Sequence, residues 1–275
     1  MRKFLVPTDF SDTSKNAARY AVQLAAGIGD SSIVLYHAYN QVSSGSDGSL
    51  ILDGDSESLQ KVSLAALENL KTSLQLLANV PVACVAEEGS LVENLERLFH
   101  HHELDLIIMG ITGASTLDQI FIGSHTLRVV DANLCPVLII PPDARYSAVE
   151  TVVFCSDFQD VEASTPIKTL RTLLDLLKPS LHVVNVHADH FVALSPEYQQ
   201  EKDKMDELLR GYNPEYAFIR LYDFVESINL YATDAGADMI ITVPRKHHFL
   251  TSLFKTSHTA KLAYHSHIPI LAVHA

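Results

Sequence analysis

The second half of the chain repeats the first, and this repeat limits the folds that the chain can adopt. Residues 151–158 match residues 3–10, because each segment is a run of strand-forming residues that ends in a hydroxyl side chain, an aspartate and a phenylalanine. Later matches keep the same order in both halves: 181–187 with 33–37, 237–241 with 104–108, 257–259 with 124–126, and 268–271 with 135–138. A shared order of this kind is typical of tandem copies, and 275 residues give room for two domains. We therefore predict one domain at residues 1–143 and a second at residues 149–275.

Within each copy, apolar runs of strand length alternate with helical periodicity. One helical pattern follows the polar residues 11–14 and has apolar residues at Ala17, Tyr20, Leu24 and Ala25. This alternation predicts an α/β fold with two tandem, open, five-stranded parallel sheets and helices on both faces, as in Rossmann-like proteins. The predicted strands are 3–7, 32–38, 80–86, 104–109 and 137–140 in the first copy, and 151–155, 181–187, 216–221, 238–243 and 270–273 in the second.

A glycine-rich segment follows the fourth predicted strand of the first copy. Gly110 and Gly113 come first, nine residues intervene, and Gly123 precedes Ser124 at the start of a helical pattern. Glycine lacks a Cβ, so the backbone can take a positive φ and its N–H groups can approach an anion closely. The first N–H groups of a helix lack intrahelical partners and favour negative charge. The segment therefore predicts a phosphate-binding loop, whose spacing differs from that of the P-loop and of the dinucleotide fingerprint.

The Gly-x2-Gly-x9-Gly-Ser spacing of this loop resembles that of nucleotide-binding members of the universal stress protein family. The opening segment VPTDFS (6–11) and the closing segment CPVLII (135–140) are similar to the first turn and the last strand of that family. Together with the repeat, the resemblance covers nearly the whole chain and implies a tandem member with a fold like the adenine nucleotide alpha hydrolases. It also implies that the first domain binds ATP or AMP, with or without Mg²⁺.

The resemblance assigns roles to residues at the carboxyl ends of the first, second and fourth strands, where open parallel sheets bind ligands. It implies that Asp9 contacts the adenosine, that Ala38 offers backbone groups to the adenine, and that Met109 lies against the nucleoside. The implied nucleotide-binding residues are Pro7, Thr8, Asp9, Ala38, Met109, Gly110, Gly113, Gly123, Ser124, His125 and Thr126. From the residues alone, Asp9 is equally suited to cap a helix or to accept a hydrogen bond from a turn amide.

The second copy has lost the glycine-rich loop. Its three glycines are replaced by Val243, Lys246 and Thr256, and Pro244 removes a backbone donor. We therefore predict that the second domain is degenerate and binds no triphosphate in this manner. The basic and histidine residues nearby, Arg245, Lys246, His247, His248 and Lys255, either bind a different anion or an acidic surface of the first copy, or form a solvated loop.

Charge and composition exclude several classes of protein. The chain has 20 Lys and Arg residues against 33 Asp and Glu residues, and its net charge of −13 argues against a nucleic-acid partner. No apolar run approaches the length of a membrane span, and the first residues do not follow a signal-peptide pattern, so we expect no membrane partner and a cytoplasmic location. Cys84, Cys135 and Cys155 are an odd number without framework spacing, and we expect reduced core residues.

The join between the copies is short, because Pro141 and Pro142 end the last strand of the first copy. We therefore expect the two domains to pack as an internal pseudo-dimer, whose closing strands 137–140 and 270–273 can pair within the chain, while a homodimer of whole chains stays open. The segment 41–58 is rich in Ser, Gly and Asp, and is typical of a mobile loop over the nucleotide or of disorder.

The residues indicate a binding module more than an enzyme. The 14 histidines show no zinc-type spacing, so we predict no metal site, and His187, Asp189 and His190 are the best candidates for one. No nucleophile with an oriented base is evident, and no catalytic residue is assigned. A stress-response sensor or regulatory module with an adenine nucleotide and an unknown protein partner fits best. The alternatives are a slow ATP hydrolase with at most weak ATPase activity, a structural tandem domain that binds partners, and a carrier of a lipid or other small ligand.

Overall fold

A computed structural model describes residues 1–40, 56–111, 124–186, 195–220, 224–243 and 268–274. Its strands are β1 Arg2–Pro7, β2 Ser31–Tyr39, β3 Val82–Glu88, β4 Leu106–Gly110, β5 Val137–Ile140, β6 Thr151–Cys155, β7 Ser180–Val186, β8 Glu215–Ile219, β9 Met239–Thr242 and β10 Ile270–Ala272. Its helices are α1 Asp12–Ile28, α2 Ser56–Gln75, α3 Leu91–His102, α4 Ser124–Asp131, α5 Val161–Ser164, α6 Ile167–Leu177, α7 Pro196–Leu208 and α8 Phe224–Asp234. All ten predicted strands are present, with ends within two residues of the prediction. Of the predicted loop 41–58, residues 41–55 lie outside the described ranges, and Ser56 begins α2.

The ten strands form one sheet in the order β3-β2-β1-β4-β5-β10-β9-β6-β7-β8. Each half of the sheet is parallel and has the same strand order, counted outwards from the centre, which confirms the α/β fold with open parallel sheets. The two halves are joined by the antiparallel pairing of β5 with β10, in which Leu138 lies opposite Leu271. All four residues of β5 are fully buried, and so apolar a strand is unsuited to a solvent-exposed edge. The predicted pairing of the closing strands within the chain is therefore confirmed.

The repeat is visible in the turns that follow β1 and β6. The N–H of Phe10 donates to the Thr8 hydroxyl at 3.0 Å, and the N–H of Phe158 donates to the Ser156 hydroxyl at 3.2 Å. Both phenylalanines have a positive φ, 62° and 50°. The matching residues 3–10 and 151–158 thus build the same turn at the same end of the sheet.

A second pair of equivalent residues ties the start of each first strand to its neighbour. Asp105 accepts a hydrogen bond from the Lys3 N–H at 2.8 Å, and Asp238 accepts one from the Thr151 N–H at 3.0 Å. Asp238 also accepts hydrogen bonds from the Glu150 N–H and the Ser147 hydroxyl. Both aspartates precede the inner strands β4 and β9, so the sequence match of 104–108 with 237–241 is also a structural match.

Helices cover both faces of the sheet. On one face, α1, α2, α6 and α7 pack over both halves and form a continuous apolar core. On the other face, α3 and α4 cover the first half and α8 covers the second. Helix α1 begins where the Ser11 hydroxyl accepts a hydrogen bond from the Ser14 N–H. Its buried face carries Ala17, Tyr20, Leu24 and Ala25, as the periodicity predicts.

Residues 141–150, which we call the linker, lie against α1. The buried Asn16 side chain donates to the carbonyls of Pro141 and Ala144 at 3.2 and 3.0 Å, and its oxygen accepts from Arg145. The ring of Tyr146 packs edge-on against another α1 residue, Tyr20. The linker is therefore part of the packed structure.

Within the described part of the chain, Cys84, Cys135 and Cys155 are free thiols, as expected. Burial raises the pKa of the Cys135 and Cys155 thiols to about 12, and burial together with Glu68 raises that of Cys84 to about 11. No helix within the described ranges has both the length and the apolar character that crossing a bilayer requires.

Candidate functional site

A cavity of about 310 Å³ lies at the carboxyl ends of β1, β2 and β4. In the sheet, β1 lies between β2 and β4. The strand order therefore reverses at β1, because β2 and β3 lie on one side of it and β4 and β5 on the other. Open α/β sheets bind ligands at such a switch point. The cavity is lined by Pro7, Thr8, Asp9, Ser14, Tyr36, His37, Ala38, Asn40, Gly89, Ser90, Leu91, Met109, Gly110, His125 and Thr126.

Eight of the eleven residues implied by the resemblance line this cavity: Pro7, Thr8, Asp9, Ala38, Met109, Gly110, His125 and Thr126. They come from four separate parts of the chain, and the parallel sheet brings these parts to one edge. Ser124 is the first residue of α4. Gly113 and Gly123 lie outside the described residues.

The turn between β1 and α1 forms one wall of the cavity. Asp9 is exposed, and its Oδ1 accepts hydrogen bonds from the N–H and the hydroxyl of Ser11 at 3.0 and 2.6 Å. Partial loss of water around the Asp9 carboxyl raises its pKa, but hydrogen bonds from Ser11 and Ser14 outweigh this effect and hold the pKa below its ordinary value. Ser11 caps α1, and Asp9 is the partner of a turn amide, which was one of the two structural roles open to it.

Gly110 ends β4 beneath the first turn of α1. Gly110 is absent from the described glycines with a positive φ, so the positive φ that glycine allows is not used at this position. A Cβ on Gly110 would lie 2.8 Å from the Thr13 Cγ2 and 3.0 Å from the Thr13 carbonyl oxygen. The physical reason for glycine here is the close packing of α1 on β4. The Gly110 carbonyl accepts a hydrogen bond from the buried Thr126 hydroxyl at 3.2 Å, which connects α4 to the same strand.

Several lining residues were missed by the sequence analysis. His37 Nδ1 lies 2.7 Å from the Thr8 carbonyl oxygen, and because a carbonyl only accepts, Nδ1 carries the proton. The His37 ring also packs against Phe10, with ring centroids 4.7 Å apart. Gly89, with φ of 103°, and Ser90 turn the chain from β3 into α3. Open parallel sheets bind ligands at the carboxyl ends of their strands, and this turn follows the carboxyl end of the third strand. The same reasoning that selected residues after the first, second and fourth strands would therefore have found it.

The wall below the turn between β3 and α3 is held by a buried tyrosine. Tyr36 is fully buried, and its hydroxyl accepts a hydrogen bond from Asn94 of α3 at 2.9 Å. Burial raises the pKa of Tyr36 to about 12, so the hydroxyl stays protonated at neutral pH. The Asn94 amide also donates to the Glu88 carbonyl at 3.0 Å, and Ser90 and Glu93 form a capping box at the start of α3. These contacts give the cavity a rigid wall.

The second half keeps part of this arrangement. Asn185 donates to the Ser156 carbonyl at 2.8 Å, in the position of His37 in the first half. Val243 stands in the position of Gly110, and Thr242 in that of Met109. The Thr242 hydroxyl is fully buried and has no hydrogen-bond partner among the residues that the structure describes. Positions 246 and 256 lie outside the described residues, so the absence of triphosphate binding in the second half stays a prediction.

No group of three or more His, Cys, Asp or Glu side chains that could hold a metal ion is present among the residues that the structure describes. The predicted cluster of His187, Asp189 and His190 lies outside those residues, as does the basic cluster at 245–248 with Lys255.

Comparisons with known proteins agree with this architecture. The model of the universal stress protein family matches residues 1–141 and 165–274. A universal stress protein of Methanocaldococcus jannaschii is 31% identical over 149 residues, which cover 50% of this chain and 81% of the relative. Among solved structures, a universal stress protein from Archaeoglobus fulgidus has a TM-score of 0.69 and 20% identity, over 99% of this chain and 98% of its own. A protein from Pseudomonas aeruginosa has a TM-score of 0.60 and 16% identity, over 100% and 93%.

Proposed function

Because the chain belongs to the universal stress protein family, we propose that its first repeat binds an adenine nucleotide, ATP or AMP, and acts as a stress-response sensor or regulatory module in the cytoplasm. The observation that carries this proposal is the cavity of about 310 Å³ at the carboxyl ends of β1, β2 and β4. Its volume is within the range of small-molecule sites.

The backbone of β2 supports a site for the base. The Tyr36 carbonyl accepts a hydrogen bond from the Thr8 N–H, so the backbone groups of Tyr36 point towards β1. Ala38 is two residues further along the strand, and its N–H and C=O therefore point to the same side, where β1 has already ended at Pro7. A donor and an acceptor on one residue match the edge of an adenine ring.

Groups around the base site suit a ribose and phosphates. Asp9 is exposed at the cavity wall, and a carboxylate there can accept a hydrogen bond from a ribose hydroxyl. Helix α4 begins at Ser124 beside the same cavity, and the N–H groups and dipole of a helix start favour an anion. The net charge of −13 does not prevent this, because distant charges are screened over about 8–10 Å.

A binding role is favoured over catalysis. Asp9 is the one carboxylate among the described residues that line the cavity, and one of its oxygens already accepts two hydrogen bonds from Ser11. A committed phosphoryl-transfer site needs carboxylates that hold Mg²⁺ and a group that orients the nucleophile. We therefore propose that nucleotide occupancy, rather than turnover, is the signal.

The test is calorimetric titration of the full chain with ATP and with AMP. We expect one nucleotide per chain, and Asp9→Ala should weaken binding by about 10- to 100-fold, the loss of one hydrogen bond to a charged group. Asp157→Ala is the matched control, because Asp157 makes the same turn contact in the second half, to the N–H of Gln159. Equal effects of the two variants would contradict the assignment of Asp9.

A second pair of variants tests the phosphate end. Gly113→Val and Gly123→Val place a branched side chain where the family resemblance implies that backbone N–H groups approach phosphate. We expect both to abolish ATP binding. Affinity that stays at the wild-type value in both variants would exclude the loop as the phosphate site.

A further inference from the structure

A second cavity, of about 320 Å³, lies between α1 and α6 over the centre of the sheet. We call it the junction cavity. Its floor is formed by side chains from both halves, among them Phe4, Leu138, Ile241 and Leu271, all of which are buried. The walls are apolar as well, with Leu24 and Ile28 on α1 and Leu170, Leu173 and Leu177 on α6.

The topology explains why this space is open. Helix α1 packs over β1, β2, β4 and β5 of the first half, and α6 contributes to the same apolar core from the second half. Leu138 of β5 and Leu271 of β10 line the space between the two helices, and β5 runs into the linker instead of a helix. Protein interiors are close-packed and leave few voids larger than a water molecule. An apolar space of this volume is therefore suited to an apolar ligand.

The mouth of the junction cavity carries charge of one predominant sign. Arg2 and Lys168 line it together with a single acid, Asp105. The Asp105 Oδ2 accepts a hydrogen bond from the Lys3 N–H at 2.8 Å. Neither Arg2 nor Lys168 forms a salt bridge with any residue in the described ranges. Two cations beside an apolar cavity, in a chain of net charge −13, favour a ligand with an anionic head and an apolar body.

We propose that the junction cavity binds a free, medium-chain alkyl carboxylate, with the carboxylate between Arg2 and Lys168 and the alkyl chain along α6. Lining residues of α6 extend from Lys168 to Leu177, which corresponds to about 14 Å of helix length. An extended alkyl chain of medium length spans a comparable distance. The ligand class is therefore that of decanoate and dodecanoate.

This site is separate from the proposed nucleotide site. The two cavities share β1 but lie at its opposite ends, since Arg2 and Phe4 line the junction cavity whereas Pro7 and Thr8 line the other. Arg2 and Pro7 are about 16 Å apart along an extended strand. Both ligands can therefore bind at once, and the carboxylate is tested in the presence of saturating ATP as well as without it.

The first measurement is calorimetric titration of the full chain with octanoate, decanoate and dodecanoate below their micelle concentrations. We expect one site per chain and a Kd that falls by up to about fourfold for each added methylene group. Dodecyltrimethylammonium, which has the same chain and the opposite charge, should bind more weakly. Absence of saturable dodecanoate binding, or equal affinity for the cationic amphiphile, would overturn the proposal.

Variants locate the site. Leu173→Trp and Ile28→Trp fill the junction cavity from opposite walls, and each should abolish dodecanoate binding, whereas Leu76→Trp places the same side chain at a highly exposed position and should not. Melting curves establish that each variant is folded. If all three variants bind like the wild type, the ligand is not in this cavity.

The head group is tested by Lys168→Gln, which should raise the Kd by about two- to fivefold, the range of an exposed ion pair. Lys61→Gln on α2 is the control and should leave the Kd unchanged.

A second copy of the chain is the competing occupant. Loss of a dimer by light scattering in Leu173→Glu, together with no dodecanoate binding to the wild type, would assign the cavity to that copy and overturn the proposal.

Discussion

Replacing Gly110 with alanine tests whether the close packing of α1 on β4 explains the glycine at this position. The added Cβ would lie 2.8 Å from the Thr13 Cγ2 and about as close to the Thr13 backbone, at 3.0 Å from its oxygen and 3.1 Å from its carbonyl carbon. Helix α1 cannot withdraw freely, because its other residues form the apolar core with the sheet. The added methyl group therefore overpacks this contact.

The magnitude follows from two opposing effects. Overpacking a well-packed core costs about 1–3 kcal/mol. Alanine also reduces the conformational entropy of the unfolded chain, which stabilises the folded state by about 0.4–1 kcal/mol. We expect Gly110→Ala to lower the free energy of unfolding by about 0.5–2 kcal/mol, and the melting temperature by about 1–4 °C.

The assay is thermal and urea unfolding of the wild type, Gly110→Ala, Thr13→Ser and the double variant. Thr13→Ser removes the Cγ2 but leaves the carbonyl, so it should recover part of the loss caused by Gly110→Ala. The double-mutant cycle should therefore show a favourable interaction energy. A melting temperature of Gly110→Ala at or above that of the wild type, or strictly additive effects, would refute the packing explanation.

Three further predictions follow from contacts described above. Asp238→Ala should lower the free energy of urea unfolding by about 1–2 kcal/mol more than Asp105→Ala does. Asp238 accepts three hydrogen bonds that the structure describes, whereas Asp105 accepts one. Equal free energies of unfolding in the two variants would contradict this. Asn16→Ala should speed proteolysis within the linker, because the Pro141 and Ala144 carbonyls lose the hydrogen bonds that the Asn16 side chain donates; an unchanged cleavage rate would show that the linker is held by other contacts. Glu68→Gln should increase the rate at which Cys84 reacts with a thiol reagent at pH 8. Burial and Glu68 raise the thiol pKa to about 11, so removal of the carboxylate lowers this pKa and increases the thiolate fraction. A slower reaction in the variant would contradict this prediction.

Much of the fold could be predicted because buried parallel strands are continuous apolar runs. The residues of β5, for example, are all apolar and all fully buried, and their bounds were predicted without error. The repeat was equally informative, because the turns at Phe10 and Phe158 depend on neighbouring residues that both halves share. Such turns can be predicted because the residues that form them are neighbours in the sequence.

Contacts between distant segments were not predictable in the same way. The hydrogen bond between Asn94 and Tyr36 joins residues 58 positions apart, and neither residue type indicates the other. The role of Gly110 depends on the distance between α1 and β4, which appears only when the helix is placed on the sheet. His37 was missed because it reaches the cavity through its contact with the Thr8 carbonyl, which follows β1 and is 29 positions away in the sequence.

The pairing of β5 with β10 does not depend on the concentration of the protein. Two strands on separate molecules part when their concentration falls below the dissociation constant, whereas these strands belong to one polypeptide and are linked by covalent bonds throughout. Each repeat therefore keeps its neighbour even at the lowest copy number in a cell. Both closing strands have partners on either side, so among the strands that the structure describes, β3 and β8 are the ones that offer an edge to another molecule.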